Sequence, residues 1–304
     1  MTTYDTLIIG GGPAGQSAAI YLQRFNRQVV LFDTAQSRTL TYEHNENYLG
    51  FPEGIASKSL YERGLAQATR FGALHQPVEV QRVVHHDGVF IAYTSNGTYT
   101  GRSIIIATGV TDLYPNLPNF EEYLGRSLFW CITCDGFKTV GKKVIVVGDT
   151  DEAACTALQF LQFTKEVVLV TNYSPDQSQL SKKWRERLWK RHVEVFESEI
   201  KSINGAAGQV SSLELDNQQQ LAADFIFNMQ GAIPNNSLAT ELGVQVNGDG
   251  YIEANDEQQT NVPFVFAAGD VTKRFSHQIV TAAHEGSMAA QACNYALFDE
   301  DQRI

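Results

Sequence analysis

The chain carries little of what would place it in a class outright. It has only four cysteines in 304 residues, too few for a disulfide scaffold. In a reducing compartment, a close C-x-x-C pair then reads as redox-active or metal-binding rather than structural. Basic residues are in deficit: 23 Lys and Arg stand against 34 Asp and Glu, a net charge of −11. That excludes nucleic acid as an expected partner, because phosphates need a basic footprint. No stretch approaches the roughly 18 consecutive apolar residues of a membrane span. Met1 to Asp5 is polar, and Leu7-Ile8-Ile9 is too short for a signal h-region, so a cytoplasmic location is expected. There is no tandem repeat and no low-complexity tract. Asn217-Gln218-Gln219-Gln220 reads as a turn.

What is present reads as an α/β protein. Hydrophobic residues make up 43% and charged residues 19%, a globular balance, and the length suffices for two domains. Thr6 to Ile9 is a short apolar strand, followed by a glycine turn, a helix over Ala14 to Arg24, and a second strand over Gln28 to Phe32. A similar unit follows: strand Val144 to Val147, helix Glu152 to Phe163, strand Glu166 to Val170. Continuous apolar strands alternating with helices imply buried parallel sheets. Strands are also expected over Ser103 to Gly109, Asp224 to Phe227 and Phe264 to Asp270, with a last helix over Gln278 to Leu297. Tyr114-Pro115-Asn116-Leu117-Pro118 and Gly231 to Asn236 read as linkers. We therefore expect two Rossmann-like nucleotide-binding domains, the second inserted into the first, with segments 1–115, 116–236 and 237–304.

Gly10-Gly11-Gly12-Pro13-Ala14-Gly15 fits G-x-G-x-x-G between a strand and a helix. In such a turn the first glycine allows the bend, the second lets backbone approach a pyrophosphate, and the third lets helix pack on strand. The helix N-terminus offers N–H groups to the phosphates. Asp33 ends the second strand, where a carboxylate can accept ribose hydroxyls. The fingerprint alone does not separate FAD from NAD. Ala107-Thr108-Gly109 and Ala267-Ala268-Gly269-Asp270 end later strands with small residues that let a ligand come close, and Asp270 is suited to a ribityl hydroxyl.

Trp130-Cys131-Ile132-Thr133-Cys134-Asp135-Gly136 is the most informative stretch. Two thiols so spaced can close and reopen a small disulfide by thiolate attack, and an adjacent acid or base assists. Asp135 is placed for that role. Zinc would need a second ligand pair, which neither Cys155, Cys293 nor the histidines supply, so no metal is expected. Cys155 and Cys293 read as small core residues, and His85-His86 as a solvated hairpin end.

On these residues the chain resembles the low-molecular-weight thioredoxin reductases along nearly its whole length. The matching segments are Gly10 to Gly15, Glu46-Asn47-Tyr48-Leu49-Gly50-Phe51-Pro52, Ala107-Thr108-Gly109, Cys131 to Phe137, Gln259 to Pro263, and Phe266 to Val271. The resemblance implies FAD held by both chain ends, a homodimer, and a thioredoxin-like or other dithiol/disulfide partner. It implies that Cys134 is the thiol next to the flavin, Cys131 the interchange thiol and Asp135 the general acid. The expected FAD contacts are Gly10, Gly12, Pro13, Ala14, Gly15, Asp33, Arg38, Asn47, Thr108, Gly109, Gly269, Asp270, His277, Gln278 and Ile279. His277 stands where the family carries Arg.

The central unit departs from the family. Where a member needs Gly-x-Gly-x-x-Ala for NADPH, this chain has Gly148-Asp149-Thr150-Asp151-Glu152-Ala153. Thr150 replaces the glycine of close approach, and three carboxylates crowd a helix end that would meet phosphates. The family's His-Arg-Arg stretch for the 2′-phosphate is replaced by Thr171-Asn172-Tyr173, which removes the charge-assisted grip. NADPH is therefore not the expected reductant. The pyridine-nucleotide-independent branches resemble this pattern: one draws on ferredoxin, another holds a second FAD. Tyr173, Trp184 and Trp189 would offer such a flavin stacking surfaces, and Lys182 to Arg187 would suit an acidic ferredoxin. The expected activity is thiol–disulfide exchange between FAD and the Cys131–Cys134 pair. An NADPH-dependent reductase with a degenerate site and a non-catalytic flavin redox sensor are the alternatives.

Overall fold

A computed structural model of the protein describes residues 2–114, 119–272 and 277–303. The chain divides into two compact units, one of residues 1–111 with 233–304, the other of residues 112–232. The unit boundaries therefore fall after Thr111 and Ala232. The sequence boundary between residues 115 and 116 lies outside the described residues, as does most of the first expected linker.

The first unit opens with strand β1 (Thr3–Ile9), helix α1 (Pro13–Arg24), strand β2 (Val29–Phe32) and helix α2 (Ser57–Arg70). β1 lies between β2 and the long strand Gly97–Ile106, parallel to both, with Ile8 opposite Leu31 on one side and Ile105 on the other. Leu74–Gln76 extends the sheet beyond β2. The late strand Val265–Ala267 pairs in parallel with Ile104 to Ile106, so both ends of the chain build one sheet. The front half of Gly97–Ile106 belongs to an antiparallel meander with Val80–His86 and Val89–Thr94. His85 and His86 end the first hairpin of that meander, where the His85 ring stacks on Phe90 at 4.5 Å.

The parallel strands have no polar face because both faces are covered. Ile8, Leu31, Ile105 and Phe266 point to one buried cluster, shared with Ala18, Leu22, Ala289 and Ala290 of the helices. Leu7, Ile9, Val30, Phe32, Ile104 and Ile106 point to the other. The last helix of the chain, residues 279–296, packs tightly on α1. A Cβ on Gly286 would lie 2.1 Å from the Ala14 carbonyl oxygen, so only glycine admits that approach.

The second unit repeats the plan. A five-stranded parallel sheet runs in the order Leu128–Phe129, Phe225–Asn228, Val144–Val147, Val167–Val170, Glu194–Phe196. A three-stranded antiparallel meander, Ile200–Ala206, Gln209–Leu215 and Gln220–Ala222, follows. The helices are α3 (Ile132–Asp135), α4 (Asp151–Gln159) and α5 (Lys182–Lys190). α4 is shorter than the expected Glu152 to Phe163, because its last turn tightens into a 3-10 turn over Phe160–Gln162. That turn drops the Phe160 ring into an aromatic core, 4.4 Å from the Phe227 ring. The strands of both meanders escaped the sequence reading, which places only a hairpin end at His85-His86 and a turn at Asn217 to Gln220. α6 (Ser237–Glu241) begins the return segment of the first unit, and α7 is the last helix (Ile279–Ala296). No helix among the described residues is long and apolar enough to cross a membrane.

Candidate functional site

In the first unit the glycine turn is a cradle that side chains would fill. A Cβ on Gly10 would lie 2.1 Å from the Ala107 carbonyl oxygen, and one on Gly15 would lie 1.8 Å from that of Gly10. Gly10 itself has φ of 110°, in the left-handed region that glycine favours. Gly12 is the residue before the first turn of α1, with no side chain capping the helix and Pro13 following. The nearest atom to a Cβ there is Ser37 Oγ at 3.3 Å. The N–H groups of α1 are thus left to a ligand, as an anion-binding helix end requires. This set fits a dinucleotide cofactor.

The remaining candidate contacts form pairs drawn from both chain segments. Arg38 Nη1 meets Asp270 Oδ2 at 3.2 Å. Asn47 Nδ2 donates to Gln278 Oε1 at 2.9 Å. Thr108 Oγ1 donates to the Asn235 carbonyl at 2.6 Å, and the Asn235 N–H donates to the Gly109 carbonyl at 3.0 Å. Gly109 has φ of 67° with nothing within 4 Å of its would-be Cβ, so this turn too leaves space. His277 lies beside Tyr251, ring centroids 5.9 Å apart, and Ile279 begins α7.

Asp33 is buried, and its Oδ1 accepts from the Ala35 N–H at 3.0 Å. Its Oδ2 accepts from the Tyr61 hydroxyl, and His75 Nε2 is 3.9 Å from the same oxygen. Burial, then the hydrogen bond to Asp33 and its charge, raises the Tyr61 pKa well above the usual phenol value, so Tyr61 stays a donor. A Cβ on Gly11 would strike the Asp33 side chain, which seats the carboxylate directly behind the turn.

Three residues here lay outside the sequence reading. Glu285 on α7 is 1% exposed, and its Oε2 accepts from the Gly269 N–H at 2.8 Å and from Thr272 Oγ1 at 3.1 Å. It pins the backbone that carries Asp270. Tyr61 holds Asp33, and Gly286 lets α7 reach α1. The signal for Glu285 was a lone carboxylate in an otherwise small and apolar helical stretch.

In the second unit Cys131 and Cys134 are disulfide-bonded, with Cα atoms 5.3 Å apart. Cys131 Sγ also accepts from the Cys134 N–H at 3.0 Å. Asp135 follows in α3 and is 3% exposed. Its Oδ1 meets Lys138 Nζ at 2.8 Å. Lys138 in turn lies over the Phe129 ring, 4.9 Å from its centroid, a cation–π placement that orients the ammonium. The i, i+3 spacing of Asp135 and Lys138 was the sequence signal for this pair.

The turn before α4 is capped by its own residues. Thr150 Oγ1 accepts from the Ala153 N–H at 3.3 Å, an ordinary helix N-cap. Asp151 Oδ1 accepts from the Ser181 N–H at 2.9 Å, tying α4 to the start of α5. Asp151 and Glu152 both occupy the first turn of α4. Asn172 Oδ1 accepts from the Ile200 N–H at 2.8 Å. Trp184 is covered by Arg187, 4.5 Å from its ring centroid, while Trp189 is 76% exposed. Five residues along a helix separate them by about 140° around its axis. They therefore do not form one stacking wall.

Cys293 is fully buried and hydrogen-bonded to Ser103 Oγ at 3.1 Å and Thr6 Oγ1 at 3.3 Å. Burial pushes its thiol up to about 11, marking it as structural. Cys155 is only half-buried on α4, contrary to the core position expected.

The profile of the pyridine nucleotide-disulphide oxidoreductases matches residues 4–286. The chain is 33% identical to thioredoxin reductase of Treponema pallidum over 300 residues, covering 96% of both chains. It is 31% identical to thioredoxin reductase of Bacillus subtilis, covering 96% of this chain and 94% of that one. The crystal structure of thioredoxin reductase from Streptococcus pyogenes superposes with a TM-score of 0.90 at 28% identity, covering 97% and 98% of the two chains. That of HlmI does so with a TM-score of 0.90 at 30% identity, covering 98% and 94%.

Proposed function

This chain belongs to the pyridine nucleotide-disulphide oxidoreductase family and is a thioredoxin reductase-like, flavin-dependent disulfide oxidoreductase; from that premise we propose that it exchanges electrons between FAD and the Cys131–Cys134 pair without drawing them from NADPH. FAD supplies the two-electron chemistry, and the protein supplies binding and orientation. In this reading Gly10, Gly12 and Gly15 with the end of α1 cradle the pyrophosphate. Arg38, Asn47, Asp270 and Gln278 orient the rest, with Thr108, Gly109 and Gly269 giving close approach. Cys131 exchanges with the partner's disulfide or dithiol, Cys134 is the thiol that exchanges electrons with the flavin, and Asp135 moves the proton at the thiol.

The observation that carries the NADPH-independent reading is the N-terminus of α4. Its Thr150 hydroxyl already accepts from Ala153, and Asp151 and Glu152 hold negative charge where phosphates would lie. A bound pyrophosphate would face carboxylates in place of glycine, with no cationic fork at Asn172 and Tyr173.

Two donors remain in this reading, a second FAD or an acidic electron-carrier protein such as ferredoxin. α5 favours the protein. Lys182, Lys183, Arg187 and Lys190 are exposed on it, and no ion pair among the described residues engages them. This sits in a chain of net charge −11. A positive face on an acidic protein steers an acidic partner. The proposed assembly is a homodimer serving a thioredoxin-like or other dithiol protein in the cytoplasm.

The test is an anaerobic titration of purified protein with NADPH, together with its flavin-to-protomer ratio. Persistence of the oxidised flavin spectrum is expected. Prompt bleaching would restore a conventional NADPH-dependent reductase. A ratio near two assigns the second FAD, and a ratio near one assigns the acidic protein donor.

A further inference from the structure

The sheet of the first unit stops short of one turn that the cofactor is expected to meet. At the sheet's edge the Ala107 N–H donates to the Ile9 carbonyl at 2.8 Å, and the Ala268 N–H to the Ile106 carbonyl at 2.9 Å. Thr108 and Gly109 follow outside any strand, with Gly109 in the left-handed region at φ of 67°. The turn still abuts the glycine cradle, since a Cβ on Gly10 would lie 2.1 Å from the Ala107 carbonyl oxygen. Its polar backbone groups need partners that the sheet does not supply.

Asn235 turns all four of its polar groups to this segment. Its N–H donates to the Gly109 carbonyl at 3.0 Å, and its carbonyl accepts from Thr108 Oγ1 at 2.6 Å. Its Nδ2 donates to the Thr108 carbonyl at 3.0 Å, and its Oδ1 accepts from Thr111 Oγ1 at 2.9 Å. The Thr108 carbonyl can only accept, which fixes the orientation of the amide. The two side-chain bonds need a donor and an acceptor on one short planar group, and among residues of this size only asparagine has both. Asn235 is exposed and directly follows the strand Ala232–Pro234, which pairs with Val110–Asp112. Burial does not force these bonds on it, because an exposed amide is satisfied equally well by water.

The clamp also decides what the turn has left to give. The Thr108 hydroxyl and the carbonyls of Thr108 and Gly109 are all engaged by Asn235. The N–H groups of Thr108 and Gly109 meet no acceptor among the described residues. Nothing lies within 4 Å of a would-be Cβ on Gly109, so the turn borders open space. Donors held rigidly in place favour negative charge beside them over a neutral group. We propose that Asn235 is a positioning residue for the flavin: it fixes the Thr108 and Gly109 N–H groups as donors and thereby favours the reduced, electron-rich cofactor over the oxidised one. This rests on the assignment of Thr108 and Gly109 to the FAD site and is independent of which molecule supplies the electrons.

The test reads FAD binding, flavin midpoint potential and amide hydrogen exchange, without turnover. In the parent, FAD loading is expected to slow exchange in the peptide spanning residues 107–111. Apoprotein of Asn235→Ala is expected to melt with the parent, because exposed hydrogen bonds add little net stability. Its affinity is expected to fall about tenfold further for reduced than for oxidised FAD, which lowers the two-electron midpoint by about 30 mV. Thr111→Val, which releases only the Oδ1 anchor, is expected to shift the midpoint the same way by less. No protection of residues 107–111 on FAD loading overturns the assignment of this turn to the cofactor, and the role of Asn235 with it. Protection in the parent, beside an Asn235→Ala midpoint equal to the parent's, overturns the role of Asn235 and leaves the site in place. Equal weakening of both redox states in Asn235→Ala, or a melting point that falls along with the affinity, reduces Asn235 to a structural tie and also overturns the proposal.

Discussion

Removing the Glu285 carboxylate is expected to loosen the cofactor cradle from behind. The residue is 1% exposed and accepts from the Gly269 N–H at 2.8 Å and Thr272 Oγ1 at 3.1 Å. In Glu285→Ala, the buried Gly269 N–H loses its carboxylate acceptor, while the part-buried Thr272 hydroxyl keeps the Gly269 carbonyl as acceptor at 2.9 Å. A hydrogen bond to a charged group contributes about 1.5–3 kcal/mol, so the loss is about 2 kcal/mol. For domains of about 150–250 residues, each kcal/mol lowers Tm by about 2–4 °C, so a fall of about 4–8 °C is expected. Glu285→Gln keeps one oxygen acceptor and is expected to lose about 1 kcal/mol, a fall of about 2–4 °C. Because the same backbone carries Asp270, the alanine variant is also expected to shed FAD during gel filtration while the glutamine variant retains it. The assay is thermal unfolding followed by flavin release, with the flavin-to-protein absorbance ratio before heating. An alanine variant that melts within about 2 °C of the parent and keeps its flavin would refute the positioning role of Glu285.

Three further outcomes are expected. Asp135→Asn, by removing a general acid, should slow exchange with a dithiol or disulfide partner by about 100-fold while the Cys131–Cys134 disulfide still forms, and Lys138→Met should change the pH profile of that exchange where Lys138→Arg does not; stopped-flow kinetics across pH would show it, and an unaltered rate in Asp135→Asn would rule out the acid role. Cys293, raised from 9.0 to about 11 by burial, stays a neutral thiol in the folded chain, so it should resist iodoacetamide at neutral pH. A thiol whose folded pKa is the higher one contributes its stability fully below the unfolded value and loses it as pH rises through the folded one. The urea midpoint should therefore fall between about pH 9 and 11 by an amount worth about 3 kcal/mol, and this part of the fall should vanish in Cys293→Ala. Finally, Thr150→Gly combined with Tyr173→Arg restores close approach and a cation to the NADPH-type turn, and this double variant should show slow flavin bleaching by NADPH where the parent shows none; equal bleaching of both would remove α4 as the cause.

Much of the fold was legible from local pattern. Val29 to Phe32 and Val144 to Val147 are apolar at every position, and such short runs beside glycine turns are strands covered on both faces. Gly10 to Gly15 announced the cradle by their spacing, although the atoms that exclude a Cβ at Gly10 and Gly11 belong to Ala107 and Asp33, and Cys131 and Cys134 are close enough along the chain to find each other unaided. Local pattern also misled. The apolar periodicity of α4 ran on to Phe163, but packing of Phe160 against Phe227 tightened the last turn instead. The usual burial of a free cysteine placed Cys155 in the core, where the structure leaves it half-buried.

By itself, then, the sequence determined which residues bend, which strands are buried, where the dithiol lies, and that Thr150 and three carboxylates stand in the turn before α4. Only the tertiary structure decided which distant residues meet. Arg38 finds Asp270 across 232 residues, Asn47 finds Gln278 across 231, and Val265–Ala267 joins the sheet beside Ile104 to Ile106. It also decided which donors a carboxylate meets: the Tyr61 hydroxyl reaches Asp33, and the Gly269 N–H reaches Glu285. The physical reason is one of range. Steric and thiol chemistry act between neighbours in the chain and leave their mark in spacing, whereas burial and hydrogen-bond satisfaction depend on what the folded chain brings within about 3 Å.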